Sequence, residues 1–199
     1  MYEVIRIPEK LTDAGGRWMT DIEIQVGDIV WVKHMSSLSA PVIFDDKDNE
    51  YRLIEYFDLV VAKRVNRERH LNNTTSKYLV EDDIVYEVIP LNGYILVEDI
   101  YVDYKEKTAL KKRVKDPLRG RVKYVGNPNK YYVYSKKKHM DLDRGVEIKQ
   151  GDIISPELYQ MNKSIENRKY LEEDMFAKFD GDKKYFYLQR PDINGIFRN

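Results

Sequence analysis

Two stretches of this sequence recur in order. Ile22-Glu-Ile-Gln-Val-Gly-Asp-Ile-Val30 returns as Val146-Glu-Ile-Lys-Gln-Gly-Asp-Ile-Ile154, and Glu50-Tyr-Arg-Leu-Ile-Glu-Tyr-Phe-Asp-Leu59 returns as Lys184-Tyr-Phe-Tyr-Leu-Gln-Arg-Pro-Asp-Ile193. In each copy an apolar strand runs into a Gly-Asp turn and a second strand, and later a Tyr-rich strand ends at Asp plus an aliphatic residue. A repeat of this length is too long for a solenoid unit, so it reads as a duplicated small β domain. Divided over 199 residues, each copy lies near the lower size at which a single core sustains itself.

Composition narrows the partners. The 34 basic and 34 acidic residues cancel, so no global field steers the chain toward nucleic acid or an anionic membrane. With no cysteine, disulfides, thiolate nucleophiles and the commonest structural zinc sites are excluded, which is compatible with the cytoplasm. No apolar run approaches the roughly 20 residues that span a bilayer, and Glu3 and Arg6 interrupt the N-terminal stretch, which does not read as a signal peptide. Sixteen tyrosines against 10 glycines, with many valines and isoleucines, favour pleated half-buried surfaces over helix.

The expected elements follow from alternation and turn chemistry. Met1 to Pro8 reads as a strand, and so does the alternating Ile22, Ile24 and Val26. Gly27-Asp28 is a turn before Ile29 to Val32. Ser36 to Pro41 reads as loop, Val42 to Phe44 and Tyr51 to Ile54 as strands, and Asp58 to Ala62 as the close of the first unit. The polar stretch from Arg64 to Lys77 has little to bury and reads as a linker. Strands follow at Val85 to Ile89, Tyr94 to Val97 and Arg121 to Val125. Between the last two, Tyr101 to Leu118 is charged without a clean period and reads as a mobile loop or a short helix. Glu166 to Phe176 has room for one or two helical turns. The predicted division is residues 1–64, a linker over 65–82, and residues 83–199.

The second half resembles the GroES-like co-chaperonins, in four pieces that come in that family's order. Ile89-Pro-Leu-Asn-Gly-Tyr-Ile-Leu-Val-Glu98 resembles its first strand, and Arg119-Gly-Arg-Val-Lys-Tyr-Val-Gly-Asn127 the strand after its mobile loop. Val146 to Ile154 resembles its strand pair around Gly-Asp, and Asp180 to Ile196 its closing strands. The signature positions are Gly27 and Asp28, Gly120, Gly126, and Gly151 and Asp152. The first half resembles the same family from its second element onward, with Tyr2 to Ile7 in the place of Arg121 to Val125. The resemblance therefore implies an all-β chain of two tandem small barrels, the first lacking its first strand and the loop after it. A barrel so interrupted leaves unpaired backbone edges. Three sources are open for filling the gap: Tyr78 to Val85 folding back, a strand of another subunit, or sequence upstream of Met1.

What the resemblance implies for function is a non-enzymatic, ring-forming homo-oligomer that binds a chaperonin through a flexible loop, with Thr108, Ala109, Leu110 and Val114 as the contact. The family's loop is glycine-rich around an aliphatic tripeptide, whereas Tyr104 to Leu118 has no glycine and sets Ala109-Leu110 and Val114 among lysines. The rival expectation is a structural or assembly protein, of a bacteriophage particle and virion-associated, that keeps the fold without binding a chaperonin.

Other motifs favour bland readings. Lys105 to Lys115 also reads as a phosphate-binding surface or a solvated charge run, and Lys136 to Lys138 beside Tyr131, Tyr132 and Tyr134 has the composition of a single-strand binder. Neutral net charge weighs against nucleic acid. His34, His70 and His139 lack metal-ligand spacing. Asp45, Asp46 and Asp48 lack the glycine and distal glutamate of a calcium loop. Asp180-Gly181-Asp182 reads as a hairpin turn. No nucleophile elbow or phosphate-binding glycine loop occurs, so neither a catalytic constellation nor a cofactor is expected.

Overall fold

A computed structural model describes residues 1–9, 11, 22–45, 49–66, 77–105, 111–128, 147–156 and 176–198. They form an all-β structure. In chain order the strands are β1 (Tyr2–Glu3), β2 (Ile29–Val32), β3 (Val42–Asp45), β4 (Glu50–Arg52), β5 (Leu59–Val65), β6 (Tyr78–Glu81) and β7 (Ile84–Pro90). They continue with β8 (Tyr94–Lys105), β9 (Lys111–Val125), β10 (Ile153–Pro156), β11 (Phe176–Asp180), β12 (Lys183–Gln189) and β13 (Ile193–Phe197). A short helix α1 (His34–Ser39) and 3-10 turns at Tyr56–Asp58 and Arg190–Asp192 complete the set. One sheet has the order β1-β2-β5-β7-β6, a second β11-β12-β8-β9-β10-β13, and β3-β4 stand as a separate pair. Among the described residues none of these sheets closes on itself.

The duplication seen in the sequence recurs in the hydrogen bonding. In the first unit Ile29, Val30, Trp31 and Val32 face Lys63, Ala62, Val61 and Leu59, with a bulge between Trp31 and Val32. In the second, Ile153, Ile154, Ser155 and Pro156 face Phe197, Ile196, Gly195 and Ile193, with the bulge between Ser155 and Pro156. The Val4 amide donates to the Asp28 carbonyl at 2.8 Å, and the Val122 amide to the Asp152 carbonyl at 2.9 Å. Each closing strand is entered through a 3-10 turn. Bulges and turns fix register, so two sequences that share them share a backbone.

Packing repeats as well. Val4, Ile24 and Val30 are buried in one cluster, and Val122, Ile148 and Ile154 in another. Ile95 and Val97 of β8 complete the second cluster, while Leu91, from the turn before β8, completes the first. A third cluster lies between the two large sheets: Val60, Val61, Leu79 and Val88 from the first meet Tyr94, Leu96, Tyr124, Ala177, Phe179 and Tyr185 from the second. Each such fully buried aliphatic or aromatic side chain contributes roughly 1.5–3 kcal/mol relative to exposure. Asn92 stitches the junction, donating to the carbonyls of Tyr56 and Leu59 at 2.8 Å each, while its own carbonyl accepts from Gln189 Nε2 at 2.8 Å.

Several expectations are corrected. Ser36 to Pro41 is not all loop, since α1 runs to Ser39. Ile22 to Gln25 forms no strand, and Val26 is exposed rather than sharing the burial of Ile24. Only Tyr2–Glu3 of the first eight residues is strand. Most consequential, Tyr101 to Leu118 is neither loop nor short helix where it is described. β8 and β9 stay paired outward through Tyr101↔Lys115, Val102↔Val114 and Asp103↔Arg113 to Lys105↔Lys111. The backbone ladder holds the two strands together without an apolar period, and Asp103 facing Arg113 is the one oppositely charged pair in it beyond Tyr101.

The described ends of the stretch expected as linker, and the start expected after it, also pair. β6 and β7 form a hairpin across Asp82 and Asp83, both in the left-handed region at φ 47° and 64°, and β7 lies on β5 from Val61↔Pro90 to Val65↔Tyr86. Pairing thus carries the first sheet to Pro90, across the boundary expected at residue 83. Tyr78 to Val85 does fold back, but onto β5 through β7, and it leaves β4 paired with β3 alone among the described residues.

Candidate functional site

The repeated Gly-Asp signature builds a structural clasp in both units. Gly27 and Gly151 turn the chain at φ +89° and +86°, a region that favours glycine. The following aspartates are buried and accept an amide three residues back, Gln25 N–H on Asp28 and Lys149 N–H on Asp152, each at 2.8 Å. An arginine grips each carboxylate, Arg64 near the end of β5 and Arg198 just past β13. Arg64 forks onto both oxygens of Asp28 at 2.9 and 2.8 Å and reaches the Glu23 carbonyl, and Arg198 does the same at Asp152 and the Glu147 carbonyl. A buried carboxylate so satisfied is held in place, whereas one stripped of its partner is strongly destabilising. Gly120 and Gly126 are close approaches of a different kind. A Cβ on Gly120 would stand 2.3 Å from Val97 Cγ1, and one on Gly126 2.5 Å from the Pro90 carbonyl oxygen. All six signature positions therefore serve the backbone.

The β8–β9 arm carries the expected contact residues. Thr108, Ala109 and Leu110 lie outside the described residues. Val114 sits on β9 opposite Val102, and both are exposed, as are Tyr101 and Leu118. Near the arm's root, Asp116 is buried and accepts from the Leu118 amide at 2.9 Å and from Arg119 Nε at 2.7 Å. Burial works to raise its carboxyl, but these bonds outweigh it and hold the group below the usual carboxylate range. Lys115 bridges Asp99 at 2.8 Å, and Asp99 is the last β8 partner before the irregularity that separates arm from sheet.

A second surface was not foreseen as a location. Beside β4 an apolar patch is open to solvent: Val42, Ile43 and Phe44 of β3, Leu53 after β4, and Met35 and Leu38 of α1. Exposed patches of this kind mark interaction sites more often than single exposed residues do. The signal available in the sequence was the missing first strand; which edge that absence opens required the pairing of β6–β7.

Chemistry-bearing groups elsewhere are satisfied structurally. Tyr185 donates to Asp180 Oδ2 at 2.6 Å and Lys183 Nζ bonds the same oxygen at 2.9 Å. Burial raises the Tyr124 phenol to about 12 and moves the Tyr185 phenol up as well, with Asp180 reinforcing both. Asp180-Gly181-Asp182 forms the expected hairpin turn between β11 and β12. Lys63 is buried, pairs with Glu81 and lies 4.3 Å from the Tyr86 ring centroid. A cleft of about 550 Å³ between the sheets is lined by Arg64, Lys77, Lys123 and Lys149 with Glu23 and Glu87, a mixture of signs with no nucleophile–base pair in it. No group of three or more His, Cys, Asp or Glu side chains fit for a metal occurs among the described residues, and no helix among them is long and apolar enough to cross a membrane. His70, His139, Asp46, Asp48, the tyrosines 131, 132 and 134, the lysines 136–138, and all but Phe176 of the expected helical turns at 166–176 lie outside the described residues.

No protein-family model, curated protein or solved structure matches the chain.

Proposed function

We propose that the protein acts by binding, as a GroES-like co-chaperonin in the cytoplasm: copies of two tandem barrel-like units assemble into a ring, and each presents its β8–β9 arm to a chaperonin. The observation that carries this reading is the arm itself. It lies between the first two strands of the second unit, where the resemblance places the docking loop, and it holds exposed Val102, Val114 and Leu118 away from the sheets' buried clusters. Ring symmetry would turn several weak arm contacts into one avid one. The test is light scattering with a chaperonin and nucleotide, comparing the unmodified chain with Leu110→Asp and Val114→Asp. Both substitutions are expected to abolish association and keep the free protein's circular dichroism. A variant that still binds overturns the assignment of the arm.

One observation favours a second reading. The arm is a strand-paired, glycine-free ribbon where it is described, better suited to a fixed joint than to a loop that orders on its partner. On this reading the chain is an assembly protein of a bacteriophage particle, and it ignores the chaperonin in the same experiment.

A further inference from the structure

The two units differ in one edge. β4 and β12 are equivalent: each is the second strand of a hairpin, with β3 or β11, and each leads through a 3-10 turn into the strand that closes its unit. β12 has β8 on its other side, in the register Phe186↔Val97, Tyr187↔Leu96, Leu188↔Ile95 and Gln189↔Tyr94. Of the corresponding residues of the first unit, Arg52, Leu53, Ile54 and Glu55, the first pairs with Val42 of β3 and the Leu53 amide donates to the Pro41 carbonyl, and none has a strand on the side away from β3 among the described residues. Leu53 is 61% exposed, beside Ile43 at 64% and Phe44 at 58%. Backbone without a strand beside exposed apolar side chains is a template for strand addition.

The arm fits this edge in geometry. β8 is the strand that occupies the position in the second unit. Past Val97 it continues to Lys105 paired with β9 alone, so its β12-side edge is open among the described residues.

We propose that the β8–β9 arm of one copy adds antiparallel to the open β4 edge of a second copy, through β8 residues beyond Val97. The contact is heterologous, head to tail, and generates a ring where the rotation closes. It rests on the oligomeric half of the function proposed above and is independent of the chaperonin.

The cysteine-free chain allows a direct test. Full-length Leu53→Cys is mixed with Ile100→Cys, Tyr101→Cys or Val102→Cys, oxidised, and run on a denaturing gel without reductant, with Val26→Cys, exposed and remote from the arm, as the collision control. Circular dichroism checks that each variant is folded. A disulfide-linked dimer of Leu53→Cys with one of the arm variants, well above the Val26→Cys background, is expected. Absence of that dimer overturns the proposal, and so does a product formed only between two Leu53→Cys chains, which would set β4 against β4. Light scattering of the unmodified chain separates the two failures. A ring without the cross-link removes this contact alone, and a monomer at every concentration removes the oligomeric reading with it.

Discussion

At the scale of single residues, the polar groups buried in this fold are positioned by partners and not poised for chemistry, and Asp180 shows how that couples stability to pH. Burial pushes its carboxyl up, but hydrogen bonds from Tyr185 and Lys183 outweigh burial and lower it from its ordinary 3.8. A carboxyl lowered in the folded state contributes stability that is full above its unfolded value and is lost as pH falls through the folded one. The contribution is therefore present at neutrality and is lost progressively as pH falls below about 4. Tyr185→Phe removes the 2.6 Å bond and is expected to cost about 1.5–3 kcal/mol at pH 7, as for a hydrogen bond to a charged group. Urea titrations of both chains at pH 7 and pH 3 check this, the gap between them narrowing at the lower pH. An unchanged gap would mean that the effect of losing the hydroxyl does not depend on the ionised carboxylate. Tyr185 was not legible as a core residue in the sequence. Its neighbours Lys183 and Lys184 suggest surface, and only the pairing of β11 with β12 brings it against Tyr124 and Phe179.

At the scale of elements, what could be read from the sequence was what depends on local chemistry. Gly-Asp turns, the Asp-Gly-Asp hairpin and apolar alternation located β2, β10, β12, most of β5 and β7, and the start of β8. What escaped reading depends on a partner far along the chain. The Asp82-Asp83 turn lacks the Asn-Gly or Asp-Gly pair that announces a two-residue hairpin, so β6 looked like the end of a linker. The arm escaped because its strands are held by backbone pairing from Tyr101↔Lys115 to Lys105↔Lys111, with no hydrophobic period to announce it. Because it is joined to the sheets only at its root, it should be removable. Replacing residues 103–113 with Asn-Gly joins the facing pair Val102 and Val114 by a two-residue turn. Stability is expected to stay within about 0.5 kcal/mol of the unmodified chain, as for surface changes generally. A larger loss in chemical denaturation would show that the arm packs back on the body.

At the scale of the molecule, the duplication suggests two independent units, whereas the packing joins them. The inter-sheet cluster draws on strands of both, and Trp31 of β2 donates to the Lys178 carbonyl and meets the Phe179 ring edge-on at 5.6 Å. Asn92 ties the second unit's Gln189 to the first unit's Tyr56 and Leu59 in one buried node. Units of this size gain little from separate cores, so the shared one should govern unfolding. With Trp18→Phe leaving Trp31 as the single tryptophan of the pair present, Trp31 fluorescence and far-UV circular dichroism are expected to report one coincident transition. Phe179→Ala lies in the second sheet, yet it should lower the midpoint seen by Trp31 in the first, at a cost of about 3–5 kcal/mol for a buried aromatic. If the units instead unfold separately, Phe179→Ala will move only the part of the dichroism that belongs to β11 and β12 and leave the later fluorescence transition in place. Coincident curves would make the double unit, and not either copy, the piece from which any larger assembly is built.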